Sequence, residues 1–288
     1  MNGCSCTSCP TAQMETDKSL TITVSPRSDE MLGIIGGSGL WNTPLFKEFQ
    51  EEIVRTEHGR VKAHVNRERT CAFIQRHNAD PDTSYTQPHL INRRALCGAL
   101  KKLGVTRVVC FSSVGSLKPD IHIGTVLIPN DYFAPWSLPG YHTDHKAHFI
   151  PSLDTPMRRQ LLELLHHDSE ELQGVTIRDG GCYTQSKGPR FETKSEIRFY
   201  QDYGDVVGMT TAGELTLLQE LNLDYACICM VDNMAHGVTA DGDTLTLKKF
   251  RDAQDTNQEV VETIAKKVLE RFLTNDRTEL ATTRGSSR

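Results

Sequence analysis

The sequence predicts an α/β fold, a single domain with a central sheet flanked by helices, and three observations predict it. Short apolar runs alternate along the chain with longer stretches of helical periodicity. Several of those runs show no polar–apolar alternation, as strands covered on both faces do. Neither an internal repeat nor a Pro/Ser-rich linker divides the 288 residues, which suffice for one large core.

The strand-like runs are residues 31–36, 70–75, 107–112, 124–129, 205–209 and 225–231. Helical patterns cover 88–103, 155–172, 193–203, 212–221 and a long stretch over 245–273. In the last, Val261, Ile264, Ala265, Val268 and Phe272 recur at three- and four-residue spacing and make one packing stripe. Residues 1–30 and 275–288 are polar and aperiodic, so both are expected as disordered tails around a folded domain over 31–274. Between Pro129 and Pro151 the chain carries Tyr132, Phe133, Trp136, Tyr141, His142, His145, His148 and Phe149. A loop this long in a compact domain is usually functional, and an aromatic lid or interface is expected. Its histidines sit among Gly and Pro with no helix to align them, which argues against a metal site.

Hydrophobic residues make up 38% and charged ones 24%, and no apolar run reaches 18 residues, which argues against disorder and membrane insertion. The net charge is −5 without a basic block, so nucleic acid is not an expected partner. Of nine cysteines, Cys71, Cys97, Cys110, Cys182, Cys227 and Cys229 lie in apolar stretches, as reduced core thiols do. Cys4, Cys6 and Cys9 are followed by no second ligand cluster and read as tail. The N-terminus lacks the charged start and apolar stretch of a secretory signal, so the cytosol is the expected compartment, the nucleus being compatible.

Chemistry concentrates where strands end. The first strand runs into Gly36-Gly37-Ser38-Gly39-Leu40, a turn that can bring N–H groups and a hydroxyl against an anion, or simply turn the chain. It is neither a dinucleotide fingerprint nor a Walker loop. Arg76 and His77 close the second strand, as an anion fork or as a solvated pair. Ser112 and Ser113 close the third, and Met209-Thr210-Thr211 the fifth, where a helix begins. Arg76 and Thr210 are expected outside the core, so that replacing them would change phosphate kinetics and spare the fold.

Together with Pro88-His89, Asn92, Gly115-Ser116-Leu117, Gly188-Pro189-Arg190-Phe191-Glu192-Thr193 and Gly208-Met209-Thr210-Thr211, these segments resemble the trimeric purine nucleoside phosphorylase and methylthioadenosine phosphorylase family over about residues 31–272. The resemblance implies a mixed, partly barrel-like sheet and a reaction in which orthophosphate, a co-substrate, attacks the anomeric carbon of a nucleoside. No metal or organic cofactor is implied. It assigns phosphate to Ser38, Arg76, His77, Ser112, Ser113 and Thr210, and sets Met209 under the ribose. It also implies a homotrimer in which Phe149 reaches a neighbour's site. The loop between Arg76 and Pro88 is longer than in the methylthioadenosine branch, and Arg93-Arg94 follow Asn92 where many members have Tyr-Arg.

Base choice departs from the methylthioadenosine branch. Glu192 follows Phe191 where that branch has Ser, and Asn233 and Ala235 stand where it has two Asp residues. A 6-oxopurine offers an N1–H donor beside an O6 acceptor, whereas adenine offers an N1 acceptor beside an amino donor. An ionised Glu192 accepts from N1–H and would repel adenine's N1, while Asn233 donates to O6 or N7. The alternative for Glu192 is a structural acid at a helix start. Catalysis is thus expected of Asn233, Glu192 and His77. The expected activity is purine nucleoside phosphorylase on inosine and guanosine, with S-methyl-5′-thioinosine or S-methyl-5′-thioadenosine as the alternative. Asn257 is expected at the 5′ end. The direction of Asp232 is open.

Overall fold

A computed structural model describes residues 31–136, 138–167, 171–239 and 245–283. The first part of the chain forms strands β1 (Met31–Gly36), β2 (Gln50–Thr56), β3 (Gly59–Val65) and β4 (Cys71–Gln75), then helix α1 (Arg93–Leu103). Next come β5 (Val105–Ser116), β6 (Val126–Ile128), β7 (Asp131–Phe133), α2 (Pro156–His167), β8 (Ile177–Asp179) and β9 (Cys182–Gln185). Helix α3 (Lys194–Gln201), β10 (Val206–Gly208), α4 (Thr211–Glu220), β11 (Asp224–Met234) and α5 (Leu247–Thr283) complete the order.

The described strands form one mixed sheet that branches at β5. Fully buried β1 pairs in parallel with β4 on one side and with β5 on the other, which is why both read as unbroken apolar runs. The pairing of β1 with β5 ends at Cys110, yet β5 continues to Ser116 beside β11 and, antiparallel, β10. That divergence opens a crevice over the middle of β5, at the carboxyl end of β1. Ser112 and Ser113 therefore lie inside a twelve-residue strand, where the sequence placed them at a strand end.

Helices cover both faces. On one, Leu96 and Leu100 of α1 and Leu215 and Leu218 of α4 pack with Ile35, Cys110 and Cys227. On the other, Met157 and Leu161 of α2 and the α5 stripe Val261, Ile264 and Val268 pack with Ile34, Val109 and Ile228. Adjacent residues of β1 thus serve opposite cores, as strand geometry requires.

Several elements differ from the sequence expectation. The 88–103 helix begins at Arg93, with Asn92 Oδ1 capping the Ala95 N–H at 3.1 Å. Strands β2 and β3 form a hairpin whose outer member is mostly solvent-facing, so it lacks an apolar signature. Helix α5 extends to Thr283, into the segment expected as a tail, because helical geometry continues beyond the packing stripe. The N-terminal tail with Cys4, Cys6 and Cys9 lies outside the described residues. The six other cysteines are unpaired thiols. Among the described residues no helix is long and apolar enough to cross a membrane.

Candidate active site

A cavity of about 550 Å³ fills the crevice, a volume in the range of small-molecule sites. Ser38, Arg76, His77, Ser112, Ser113 and Thr210 line it, as do Met209, Phe191, Glu192 and Asn233. Residues from six separate parts of the chain are thus brought together by the divergence of β1 from β10 across β5.

Arg76 does not stand free at its strand end. It is 1% exposed, with Nε and Nη2 donating to the Glu214 carboxylate at 2.7 and 3.0 Å. Nη1 donates to the Phe111 carbonyl at 2.7 Å and Nη2 to Cys110 Sγ at 2.8 Å. Burial opposes the charge, but the carboxylate outweighs it and holds the guanidinium above its ordinary value. Most of its five N–H donors are spent within the protein, so it can present a positive field and few bonds. Gly37 permits this: a Cβ there would lie 2.5 Å from Arg76 Nη1. Arg76 therefore belongs to the core, which corrects the expectation that its replacement would spare the fold.

His77 donates Nδ1–H to the Thr86 carbonyl at 2.9 Å, since a carbonyl only accepts. That tautomer leaves Nε2 as a lone-pair acceptor. Burial first, then Arg76, pushes the imidazole down to about 4, so it is neutral near pH 7. A pH dependence follows. Below 6.5 the unfolded chain takes up a proton that the folded chain refuses until about 4. Stability should therefore fall between these values by up to about 3 kcal/mol. His77→Gln should flatten that part of a denaturant-midpoint profile against pH.

Thr210 precedes α4 without capping it, because its N–H and that of Thr211 bond the Tyr183 hydroxyl at 3.2 and 3.3 Å. Ala212 N–H goes to Gln185 Oε1. The N–H groups of Thr210, Thr211 and Ala212 are thus spent within the protein, and Thr210 offers an anion its side chain. Met209 is set by Arg93, whose Nη2 donates to its carbonyl at 2.9 Å.

Glu192 precedes α3 but does not cap it. Thr193 and Glu196 form the capping box, and the Glu196 carboxylate takes the Thr193 N–H. Capping of α3 therefore does not fall to Glu192. Glu192 is 8% exposed, and burial pushes its pKa up. Asn233 donates Nδ2–H to the Met234 carbonyl at 3.0 Å, leaving one amide N–H and Oδ1. Gly115 makes its room: a Cβ there would lie 2.9 Å from Asn233 Nδ2.

Three expected site residues do not line this cavity, of which Phe149 was expected at a neighbour's. Ala235 is buried among Leu117, Ile197, Tyr200 and Val207. Phe149 is half-buried and outside this cavity. Asn257 is 7% exposed and hydrogen-bonded to Asp232 Oδ1 at 2.9 Å, facing β11. The face of α5 turned to the cavity carries Leu247, Phe250, Gln254 and Gln258 instead, at spacings of three and four. That spacing was available in the sequence. Gln254 Nε2 spans Ser38 Oγ at 2.6 Å and Ser113 Oγ at 3.4 Å. Tyr85, also missed, stacks on His77 with centroids 5.4 Å apart.

Residues 32–273 match the model of the Phosphorylase superfamily. The chain is 36% identical over 210 residues to a probable 6-oxopurine nucleoside phosphorylase of Archaeoglobus fulgidus, covering 72% of this chain and 84% of that protein. It is 35% identical to a probable S-methyl-5′-thioinosine phosphorylase of Methanocaldococcus jannaschii, over 81% of this chain and 90% of that one. A 6-oxopurine nucleoside phosphorylase of Pyrococcus furiosus is 34% identical, over 82% and 87%. Among solved structures, a methylthioadenosine phosphorylase from Schistosoma mansoni in complex with adenine shares the fold at a TM-score of 0.68, with 21% identity over 86% of this chain and 96% of that one.

Proposed function

The chain belongs to the phosphorylase superfamily, and from that premise we propose that it catalyses the reversible phosphorolysis of inosine and guanosine to free base and ribose 1-phosphate. The observation that carries this reading is that Glu192 and Asn233 both line the cavity, with Glu192 free of any helix-capping duty. The ionised acid accepts from N1–H, and the remaining Asn233 N–H meets O6 or N7, where charge collects as the base leaves. Orthophosphate is the co-substrate, received by Ser38, Ser112, Ser113 and Thr210 in the field of Arg76. Its oxygen bonds C1′ as the bond to N9 breaks, and the base takes up, by way of solvent, the proton that orthophosphate gives up. His77 Nε2 accepts from a protonated phosphate oxygen. Neither metal nor organic cofactor takes part.

S-methyl-5′-thioinosine is the second reading. It carries the same base, and Leu247 and Phe250 give the cavity an apolar wall suited to a thioether. The two relatives of highest identity named above divide between these substrates. Phosphorolysis of inosine, guanosine, adenosine and both methylthio nucleosides, measured side by side, tests the reading. Both inosine-type substrates should exceed both adenosine-type ones.

The site is completed, in this proposal, within a homotrimer in the cytosol. The half-exposed rings of Phe199, tilted against Phe133, and Tyr203, stacked on it, form an apolar patch suited to an interface, and Phe149 would close the neighbouring cavity. Sedimentation should show about three times 32.2 kDa. Phe149→Ala should raise KM for the nucleoside without changing that mass.

A further inference from the structure

One buried acid beside the cavity has no part in the chemistry above. Asp232 is 2% exposed. A bulge in β11 sets Val231 opposite Val114 and Asn233 opposite Gly115, leaving Asp232 unpaired between them. Its side chain consequently turns away from the Asn233 side, into a small void behind the cavity floor, against Gly39, Met230 and Val261. The Ser113 hydroxyl is hydrogen-bonded to Asp232 Oδ2, and Asn257 Nδ2 donates to Oδ1 at 2.9 Å.

A serine hydroxyl has one proton. While Asp232 is ionised, that proton points at Oδ2, so Ser113 turns only lone pairs to the cavity and cannot donate to an anion there. Gln254 already donates to Ser113 Oγ. A dianion beside Ser38 and Ser113 would also lie one hydroxyl away from a buried carboxylate, and like charges so placed drive one of them to protonate. A proton on Oδ2 reverses the bond: Asp232 donates to Ser113 Oγ, and the Ser113 proton turns to the anion.

We propose that Asp232 and Ser113 form a proton-linked donor switch, in which binding of orthophosphate draws one proton from solvent onto Asp232 Oδ2. The inference rests on the phosphorolysis reading and deepens it. Asp232 does not touch phosphate; it is a positioning residue acting through Ser113. The groups facing it are neutral: Ser113 from β5, and Gln254 and Asn257 from α5. Burial pushes its pKa up against hydrogen bonds from Asn257, Ser113 and Gln254, with no charged neighbour contributing. The ionisable groups of the adjoining cavity are Arg76, bound to Glu214; His77, neutral; and Tyr85, Glu192 and Asp255.

The test is calorimetric titration of the whole, nucleoside-free protein with orthophosphate near pH 8, in buffers of different ionisation heats. After allowance for the ligand's own ionisation, wild type should take up close to one proton per phosphate. Asp232→Asn should take up none, since its amide donates to Ser113 as the protonated acid does. Asp232→Ser, also without a titratable group, serves if the amide variant does not fold. Above the Asp232 pKa, phosphate affinity should fall about tenfold per pH unit in wild type and stay level in the variants. Phosphate binding without proton uptake in wild type, or with equal uptake in the variants, overturns the switch and leaves phosphorolysis standing. Base release without any phosphate binding overturns both.

Discussion

Glu192→Ala is expected to lower kcat/KM for inosine by roughly 10³- to 10⁴-fold, the scale on which a site loses a substrate whose buried hydrogen bond it no longer meets. The reason lies in burial. The carboxylate of a residue only 8% exposed makes a charge-assisted bond to N1–H with little competition from solvent, and alanine leaves that N–H unpaired. Glu192→Gln keeps an acceptor but not the charge, so its loss should be smaller. Asn233→Asp should act on the other edge of the base. A carboxylate there faces the O6 and N7 lone pairs, so inosine turnover should drop while adenosine-type turnover rises relative to it. Folding should be nearly unaffected by Glu192→Ala, because Thr193 and Glu196 hold the start of α3. Steady-state kinetics on inosine and adenosine check the prediction; a variant lacking Glu192 that retains inosine turnover would contradict it.

The second large effect is on stability. Glu214 is fully buried and meets Arg76 through two hydrogen bonds across 138 residues of chain. Glu214→Ala leaves a buried guanidinium with Phe111 O and Cys110 Sγ as its remaining partners, and Arg76→Ala strands the carboxylate. Each should cost about 3–5 kcal/mol in denaturant unfolding, the usual penalty of a broken buried ion pair. The double replacement Arg76→Met with Glu214→Gln should recover part of that loss, since neither product is charged. Such non-additivity would separate the pair from two independent packing defects. A single replacement costing less than about 1 kcal/mol would mean that water reaches the pair.

The contrast between these two sites shows what was legible in the sequence. Glu192 and Asn233 could be placed on the cavity lining because each stands at a motif position. Glu214 could not, although its setting carried a signal: an acid among Ala212, Leu215, Leu217 and Leu218 in a helix buried on nearly every side needs a buried cation. The core strands β1, β4 and β5 were visible as apolar runs because sheet neighbours and helices cover them. Strand β2 was not, since an outer hairpin strand keeps charged residues on its open face. Short β8 and β9 hold too few residues to show a period. Asn257 was misplaced for a helical reason. One residue along a helix rotates a side chain by about 100°, so Gln258 lines the cavity while Asn257 faces Asp232. The direction of Asp232 needed the β11 bulge, which no local pattern announces.

The most direct test of phosphorolysis is product analysis of inosine incubated with the protein, with and without orthophosphate. Hypoxanthine and ribose 1-phosphate should appear in equal amounts with phosphate, and neither should accumulate without it. Hypoxanthine released together with free ribose, at a rate indifferent to phosphate, would contradict the account.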